Sequence, residues 1–330
     1  MTELRSQVRM EGERSYLYIW SCHEDERQLC LMELRTLLAV PEADEQARYI
    51  ESKADIEPSR SPFLKMKIAV HAQHDELQGL IEQAAELDIG GGTFKVRYVE
   101  AGEADSENRP EYKDQRRIER LVGAVIRGKA DMRQPDKLLG VAFAGGRWVL
   151  GMAVEGEAVW LKHNNKPRPY STALSTKVAR AVANIAVPNP SDGIVAVDPC
   201  CGIGTVIIEA LSMGIRMRGF DRNPLAAIGA RENLAHFGYS PSLIVKADML
   251  TLQGGYSAAV LDLPYNLCSK LPEEEELAML RALARLAPRA VVIATEPLNS
   301  KLAECGWSIA DSCEVRKSQF VRYVYLVQCA

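Results

Sequence analysis

Residues 194–205 read IVAVDPCCGIGT, and this stretch decides how the rest of the chain is interpreted. The apolar run that ends at Asp198 predicts a buried strand, and Thr205 opens an apolar helix that ends at Gly214. In the turn between them, Gly202 and Gly204 let the backbone approach a ligand without a Cβ clash, and the helix N-terminus offers free N–H groups. We therefore expect a strand, a ligand-binding turn and a helix.

Downstream of this stretch, strands and helices alternate. The predicted strands are residues 216–221, 243–248, 258–262 and 290–295, and the last two, 307–315 and 320–328, are close enough to form an antiparallel hairpin. Helices are predicted after Asn223, with Pro224 in the first position, and over residues 273–286. Such alternation predicts an α/β fold, in which a mostly parallel sheet of seven strands carries helices on both faces.

The upstream half has a different pattern, typical of small α+β modules. Its predicted strands are residues 16–20, 67–70, 94–99, 139–143 and 148–154, and its predicted helices are 26–38, 75–87 and the basic segment 116–127. We divide the chain into an N-terminal module (1–72), a second module (73–160), a linker (161–169) and the α/β domain (170–330). Residues 163–169 (HNNKPRP) lack an apolar period, which is why the linker is placed there.

Composition excludes several classes of protein. Hydrophobic residues make up 47% of the 330 and charged residues 25%, which are values of globular chains. No apolar run approaches the roughly 20 residues of a membrane span, and the first 15 residues lack the apolar core of a signal peptide. We therefore expect a cytoplasmic protein with no membrane partner. The eight cysteines are scattered without a CxxC pair, which argues against a metal site.

The charge distribution is uneven along the chain. Residues 109–181 contain 15 Lys/Arg against 7 Asp/Glu, a local net charge of +8, whereas the whole chain has a net charge of −4. A basic stretch in an acidic protein indicates an anionic partner, although a solvated charged surface would give the same pattern.

Acidic residues end the predicted strands of the α/β domain. Asp221 follows Asp198 by 23 residues, where an acidic side chain commonly accepts hydrogen bonds from ribose hydroxyls, and Asp248 ends the next strand. Because the carboxyl ends of parallel strands share one edge of a sheet, these three aspartates are predicted to lie around a ligand.

The strand over residues 258–262 leads into Asp262-Leu263-Pro264-Tyr265-Asn266. A carboxylate and a following main-chain carbonyl can accept both hydrogens of an exocyclic amine, which aims the nitrogen lone pair outward. The ring of Tyr265 offers a face on which a base can stack. The segment therefore favours an enzyme that acts on a base amine.

Together these motifs resemble the S-adenosyl-L-methionine-dependent amino-methyltransferases, whose motifs are D-P-F-C-G-T-G-T and D-P-P-Y-G. The segment from Arg168 to Asn184 is similar to the one that precedes the catalytic core in THUMP-containing tRNA guanosine-N2 methyltransferases. The upstream half is similar to their ferredoxin-like and THUMP modules, and residues 131–141 (DMRQPDKLLGV) carry part of that likeness. The resemblance implies a Rossmann-like class I methyltransferase domain, tRNA as partner and methylation of guanosine N2, usually at position ten. It leaves open whether a small activator subunit is needed and whether the chain is a monomer or a homodimer.

The resemblance also implies roles for individual residues. Asp198, Gly202 and Gly204 would bracket the methionine part of the cofactor, while Asp221 would hold the ribose and Asp248 would face the adenine. Further implied cofactor contacts are Cys200, Thr205, Arg222 and Met249. The implied catalytic residues are Asp262, Leu263, Pro264 and Tyr265. The implied substrate-binding residues are Arg116, Arg117, Arg120, Lys166, Arg168 and Tyr170.

Two positions depart from the family motif, Leu263 for its first proline and Asn266 for its glycine. Leucine keeps the backbone carbonyl that the chemistry needs, and asparagine tolerates a positive φ better than most residues. We therefore expect a working site. Two alternatives stay open at this point: an amino-methyltransferase acting on ribosomal RNA or DNA bases, and a catalytically inactive tRNA-binding protein.

Overall fold

The computed structural model describes residues 14–102, 110–170, 173–264, 271–317 and 320–329. The chain forms two compact units. The first consists of the chain up to Trp20, Gln46–Pro58 and Leu64–Gly156, and the second consists of Ser21–Glu45, Ser59–Phe63 and Glu157–Ala330. None of the helices in the described ranges has the length and apolar character of a membrane span.

In chain order, the strands are β1 (Tyr16–Trp20), β2 (Tyr49–Ser52), β3 (Leu64–His74), β4 (Asp88–Tyr98), β5 (Arg127–Ala130), β6 (Lys137–Ala144), β7 (Arg147–Glu155), β8 (Ala196–Asp198), β9 (Met217–Asp221), β10 (Ile244–Lys246), β11 (Ala258–Asp262), β12 (Arg289–Ala294), β13 (Trp307–Lys317) and β14 (Phe320–Cys329). The helices are α1 (Arg27–Leu38), α2 (Leu77–Ala84), α3 (Tyr112–Val125), α4 (Thr176–Ala186), α5 (Thr205–Ser212), α6 (Pro224–His236), α7 (Glu273–Leu286) and α8 (Asn299–Glu304).

In the first unit, the described strands form one sheet in the order β2-β1-β3-β7-β6-β4-β5. Helices α2 and α3 pack on one face of it, because Leu80, Ile118 and Val122 bury their side chains in one core cluster with Val96 and Leu139. The predicted β6–β7 hairpin is confirmed, and its strands pair antiparallel.

The strands predicted for two N-terminal modules share this sheet. β3 lies between β1 and β7, so the predicted boundary between residues 72 and 73 falls inside a strand. The physical reason is that the alternating burial of β3 continues past Val70 as far as Ala72. The predicted linker is also folded, since a short 3-10 helix (Val159–Asn164) buries Trp160 and His163 in the second unit.

The second unit has the predicted α/β fold, but it is larger than the predicted domain 170–330, because Ser21–Glu45, which includes α1, and Ser59–Phe63 also belong to it. Its described strands form one sheet in the order β10-β9-β8-β11-β12-β14-β13, in which β8 to β12 run parallel and the final hairpin runs antiparallel. The order reverses between β8 and β11, because the chain first moves outward to β10 and then returns to the other side of β8. Open α/β sheets bind ligands outside the carboxyl ends of their strands at such a switch point.

Helix α4 was not predicted, although the sequence explains it. The Ser175 hydroxyl caps its N-terminus by accepting a hydrogen bond from Val178 N at 3.3 Å, and nearly every residue of the helix is buried.

Candidate active site

A cavity of about 630 Å³ lies at the carboxyl ends of the parallel strands in the second unit. Its lining includes these predicted site residues: Asp198, Cys200, Gly202, Thr205, Asp221, Arg222, Asp248, Met249, Asp262, Leu263, Pro264, Arg168 and Tyr170. Tertiary folding thus brings most of the predicted cofactor and catalytic positions to one space. Tyr265 and Asn266 lie outside the described residues, so the predicted stacking face is not placed.

The two glycines of the β8–α5 turn differ in their surroundings. Gly202 has a φ of +54°, and a Cβ built on it would meet no described atom within 4 Å, which leaves the cavity side of the backbone open. Gly204 has a φ of +80° and caps α5, where a Cβ would lie 3.1 Å from Leu234 Cδ1 of α6. Gly204 does not line the cavity within the described part of the chain. Its role is therefore close packing against α6, whereas Gly202 borders the cavity.

The Thr205 side chain is buried at the start of α5 and lines the same cavity. Its Oγ1 has no hydrogen-bond partner among the described residues. A buried hydroxyl without a partner costs free energy, and a polar ligand group in the cavity would supply the missing hydrogen bond.

Asp198 ends β8 with a nearly inaccessible side chain. Burial raises the pKa of its carboxyl well above the usual range, and the charges of Asp262 and Asp221 raise it further. Cys200 N donates to Asp198 Oδ1 at 3.2 Å, which partly offsets this effect. Such a carboxyl gains most when a cationic or hydrogen-bond-donating group enters the cavity.

Asp221 is held by two backbone donors. Gly202 N donates to Oδ2 and Asn223 N donates to Oδ1, both at 2.8 Å. Burial raises the pKa of this carboxyl in spite of these bonds. A fixed carboxylate with unused lone pairs is suited to accept hydrogen bonds from a pair of hydroxyls.

Asp248 and Met249 form another part of the wall. Asp248 Oδ1 accepts a hydrogen bond from Leu250 N at 2.9 Å and so caps a short 3-10 turn. Met249 is buried, and its sulfur lies 3.5 Å from Cys200 Sγ. Arg222 is largely exposed and donates to Glu275 Oε1 of α7 at 2.7 Å. Glu275 also lines the cavity and was not predicted from the sequence.

Asp262 ends β11 with its carboxyl at the cavity. Burial raises the pKa of this carboxyl to about 7, while the positive charge of Arg322 acts in the opposite direction. Leu263 N donates to Ile293 O at 2.9 Å, and the Leu263 side chain is buried in the apolar core. Pro264 is exposed at the end of this described segment. The backbone that carries the predicted amine acceptor is therefore anchored to β12.

The segment before α4 is fastened to the cavity by Asn233 of α6. The Asn233 carboxamide accepts from Arg168 N at 2.9 Å and donates to both Arg168 O and Ile203 O at 3.0 Å. Tyr170, 62% exposed, follows at the cavity rim. Sequence reasoning missed Asn233, although a fully buried amide within an apolar helix always needs partners of this kind.

The other predicted substrate-binding residues are not among the described residues that line the cavity. Lys166 Nζ donates to His163 O at 2.8 Å, and burial lowers the pKa of its ammonium. Arg116, Arg117 and Arg120 lie on α3 in the first unit. Arg116 donates to Glu119 at 2.7 Å, whereas Arg117 and Arg120 are exposed.

Arg180 and Asn184 prove to be structural, although their segment carried the family likeness. Arg180 is buried and donates to Glu209 Oε2 of α5 at 2.8 Å and to backbone carbonyls of residues 59 and 60. Asn184 donates to Glu33 Oε1 of α1 at 2.6 Å. Burial raises the pKa of Glu33 to about 7 although hydrogen bonds from Ser61 and Asn184 lower it. This buried network joins α1, α4 and α5.

Comparison with known proteins places the likeness on the second unit. Residues 164–305 match the UPF0020 family, described as "RMKL-like, methyltransferase domain". A tRNA (guanine(10)-N2)-dimethyltransferase of Methanothermobacter thermautotrophicus is 31% identical over 180 residues, which are 51% of this chain and 52% of that protein. An enzyme of the same description from Pyrococcus abyssi is 24% identical over 50% of this chain and 53% of that protein. A U6 snRNA (guanine-N(2))-methyltransferase of Mus musculus is 24% identical over 54% of this chain and 34% of that protein.

These matches confirm the predicted resemblance to guanosine-N2 methyltransferases. The matched region spans about half the length of the first two relatives and about half of this chain. The residues that match the family model, 164–305, lie within the second unit.

Proposed function

We propose that this chain is an S-adenosyl-L-methionine-dependent tRNA methyltransferase that modifies the exocyclic N2 amine of a guanosine. The observation that carries the proposal is that Asp262, the predicted amine acceptor, lines the same cavity as Gly202, Thr205 and Asp221. Cofactor-holding groups and an amine acceptor around one space are what direct methyl transfer to a base requires. The relatives' names support guanosine at position ten as the target.

The residues around the cavity fit this cofactor. The open side of Gly202 leaves room for the methionine part, and the Thr205 hydroxyl can pair with its polar groups. Asp198 faces that end with a carboxyl that favours a cationic partner, and Asp221 is oriented to accept from the ribose hydroxyls. When bound, the cofactor supplies a methyl group on a positively charged sulfur.

The chain's own part in the reaction is alignment and proton acceptance. In the proposed complex, Asp262 and the Leu263 carbonyl accept the two amine hydrogens, which points the nitrogen lone pair toward the cofactor. The pKa of Asp262, about 7, suits a carboxylate that accepts the amine proton as the new bond forms. Tyr265 is proposed to stack on the base once it has left the helix.

We assign tRNA binding in the first instance to the first unit. Its helix α3 presents Arg117 and Arg120 to solvent, and residues 109–156, the part of the basic stretch that lies in this unit, contain 10 Lys/Arg against 6 Asp/Glu. The identification of residues 73–160 as a THUMP module is part of this proposal. A cytoplasmic location stays a prediction from the sequence.

One alternative substrate has specific support. The murine relative is named for U6 snRNA, so another structured RNA could present the guanosine. Two further alternatives are to be tested. One is methylation of adenine or cytosine amines on ribosomal RNA or DNA, and the other is a purely RNA-binding role.

The deciding experiment uses the full chain with the cofactor carrying a labelled methyl group. It is incubated with total tRNA, with total RNA depleted of tRNA and with DNA, and the labelled nucleosides are then identified. We expect N2-methylguanosine or N2,N2-dimethylguanosine from the tRNA sample. Label in N6-methyladenosine, label confined to another nucleic acid, or the absence of transfer would contradict the proposal.

A further inference from the structure

A cationic side chain lies on the same face of the second sheet as Asp262. Asp262 pairs with Ile293 of β12, and Ile293 pairs in turn with Val324 of β14. Paired residues of neighbouring strands project to one face, and residues two apart on a strand also share a face. Arg322 precedes Val324 by two residues, and β12 ends opposite Tyr323. The register therefore places Arg322 on β14 at a level just past the last residue of β12. Arg322 lies diagonally across β12 from Asp262.

The Arg322 guanidinium is close enough to influence Asp262. Its positive charge lowers the pKa of the Asp262 carboxyl, against the effect of burial. The guanidinium carbon lies 4.8 Å from the centroid of the Phe320 ring, within the range of a cation–π contact. Arg322 does not line the cavity within the described part of the chain, whereas Asp262 does.

A carboxylate beside a guanidinium offers hydrogen-bond acceptors next to hydrogen-bond donors. Guanine has the complementary pair, since its N2 amine donates and its O6 carbonyl accepts. Adenine also carries an exocyclic amine but has no carbonyl oxygen, so it would leave the arginine without a base partner. Arginine is the side chain that most often recognises guanine through O6 in nucleic-acid complexes.

We propose that Arg322 is the specificity-determining residue of this site, donating to guanine O6 while Asp262 accepts from the N2 amine. This inference rests on the proposed function and adds the group that selects guanine over adenine and over other purines that carry an amine but lack O6. Arg322 contacts the base away from the reacting nitrogen, so it governs which base is methylated and not how the methyl group is held.

The test compares two substrates that share the reacting amine. One is a tRNA with guanosine at position ten, and the other carries 2-aminopurine there, which keeps the amine at C2 but has hydrogen in place of O6. The wild-type chain should prefer guanosine in kcat/KM by about 10- to 100-fold. Arg322→Met should reduce this preference to within about threefold by slowing the guanosine reaction, and Arg322→Lys should give an intermediate preference, because lysine restores charge without the planar fork.

Arg316→Met provides the matched control. Arg316 lies on β13 in the same hairpin, is largely exposed and pairs with Glu314, so its loss should leave both rates and their ratio unchanged. Cofactor affinity, measured by calorimetry, should be the same in all four proteins, which also shows that the variants fold.

The outcomes separate the two proposals. Formation of N2-methylguanosine by every protein with an unchanged preference for guanosine would overturn the role of Arg322 alone. A wild-type chain that binds the cofactor yet leaves guanosine unmodified would overturn the proposed function and, with it, this inference.

Discussion

The backbone N–H of Gly202 donates to Asp221 Oδ2 at 2.8 Å, and this bond joins the β8–α5 turn to the end of β9. The glycine that leaves room for one part of a ligand thereby orients the carboxylate that would hold another part. A residue that disturbs the turn at Gly202 should therefore affect the cavity in two ways, by filling space and by releasing Asp221.

Gly202→Leu is expected to weaken S-adenosyl-L-methionine binding by at least about tenfold, or roughly 1.4 kcal/mol, measured by calorimetry. Gly214→Leu is the matched control, because Gly214 also has a positive φ (+76°) and open space around its Cβ but lies at the far end of α5. Both variants should lose similar stability from backbone strain. Equal cofactor affinity in the two would show that the turn does not hold the ligand.

Asp198→Asn should stabilise the protein without cofactor while it weakens cofactor binding. Burial raises the pKa of Asp198, so the folded state holds a proton that the unfolded state loses above about pH 4. Its contribution to stability therefore falls as pH rises from about 4 toward the raised pKa, and asparagine removes this loss. Thermal unfolding should show a gain of about 0.5–2 kcal/mol at pH 8 and a smaller one near pH 4. A variant less stable at pH 8 would contradict the burial argument.

Asp262→Ala should lower the methyl-transfer rate by at least about 100-fold, the scale of losing one preorganised hydrogen-bonding group at a transition state. Cofactor affinity should stay nearly unchanged, because the proposed partner of Asp262 is the base. Single-turnover transfer to tRNA measures the first quantity and calorimetry the second. Asp192→Ala, an exposed aspartate before β8, is the control and should keep full activity. A fully active Asp262→Ala protein would exclude this mechanism.

The pH profile of methyl transfer by the wild-type chain should follow the ionisation of Asp262. Only the carboxylate can accept both the amine hydrogen bond and the proton, and burial places its pKa at about 7. The value of kcat/KM should therefore rise about tenfold per pH unit below 7 and level off above it. Initial rates from about pH 5.5 to 9 at constant ionic strength would measure this, and a profile that is flat through pH 7 would rule out the proposed role.

Exposed arginines of α3 should contribute to tRNA affinity through phosphate contacts. The double variant Arg117→Ala/Arg120→Ala should weaken binding and reduce the slope of log affinity against log salt by about 2. Arg116→Ala should have a smaller effect, because Glu119 already pairs with that guanidinium. Fluorescence anisotropy with labelled tRNA measures the slopes. Arg281→Ala, an exposed helix arginine of the second unit, is the control, and a loss equal to that of the double variant would refute the assignment to α3.

Local sequence signals were sufficient for the α/β domain. Strands that end in Asp198, Asp221 and Asp262 could be recognised from buried apolar runs, and parallel alternation implies that their carboxyl ends meet. The positions around the cavity follow from that rule, because side chains at strand ends need no further information to share an edge.

Contacts between residues far apart in sequence were decided by tertiary structure. From the sequence, Gly202 and Gly204 are predicted to have the same role. In the structure, Gly202 lies beside the cavity, whereas Gly204 allows α5 and α6 to approach closely. β3 joins the two predicted modules into one sheet, because it pairs with β1 on one side and with β7 on the other. A local sequence pattern does not show which distant strands a strand will pair with.

The proximity of Asp262 and Arg322 is another contact that could not be predicted from the sequence. Sixty residues separate them, and no local pattern marks an arginine in a β-rich hairpin as a neighbour of a carboxylate. Local propensity and periodicity report which element a residue joins and which face it occupies. Which faces then meet depends on strand order and register, and these are determined by the burial of the whole sheet rather than by any one segment.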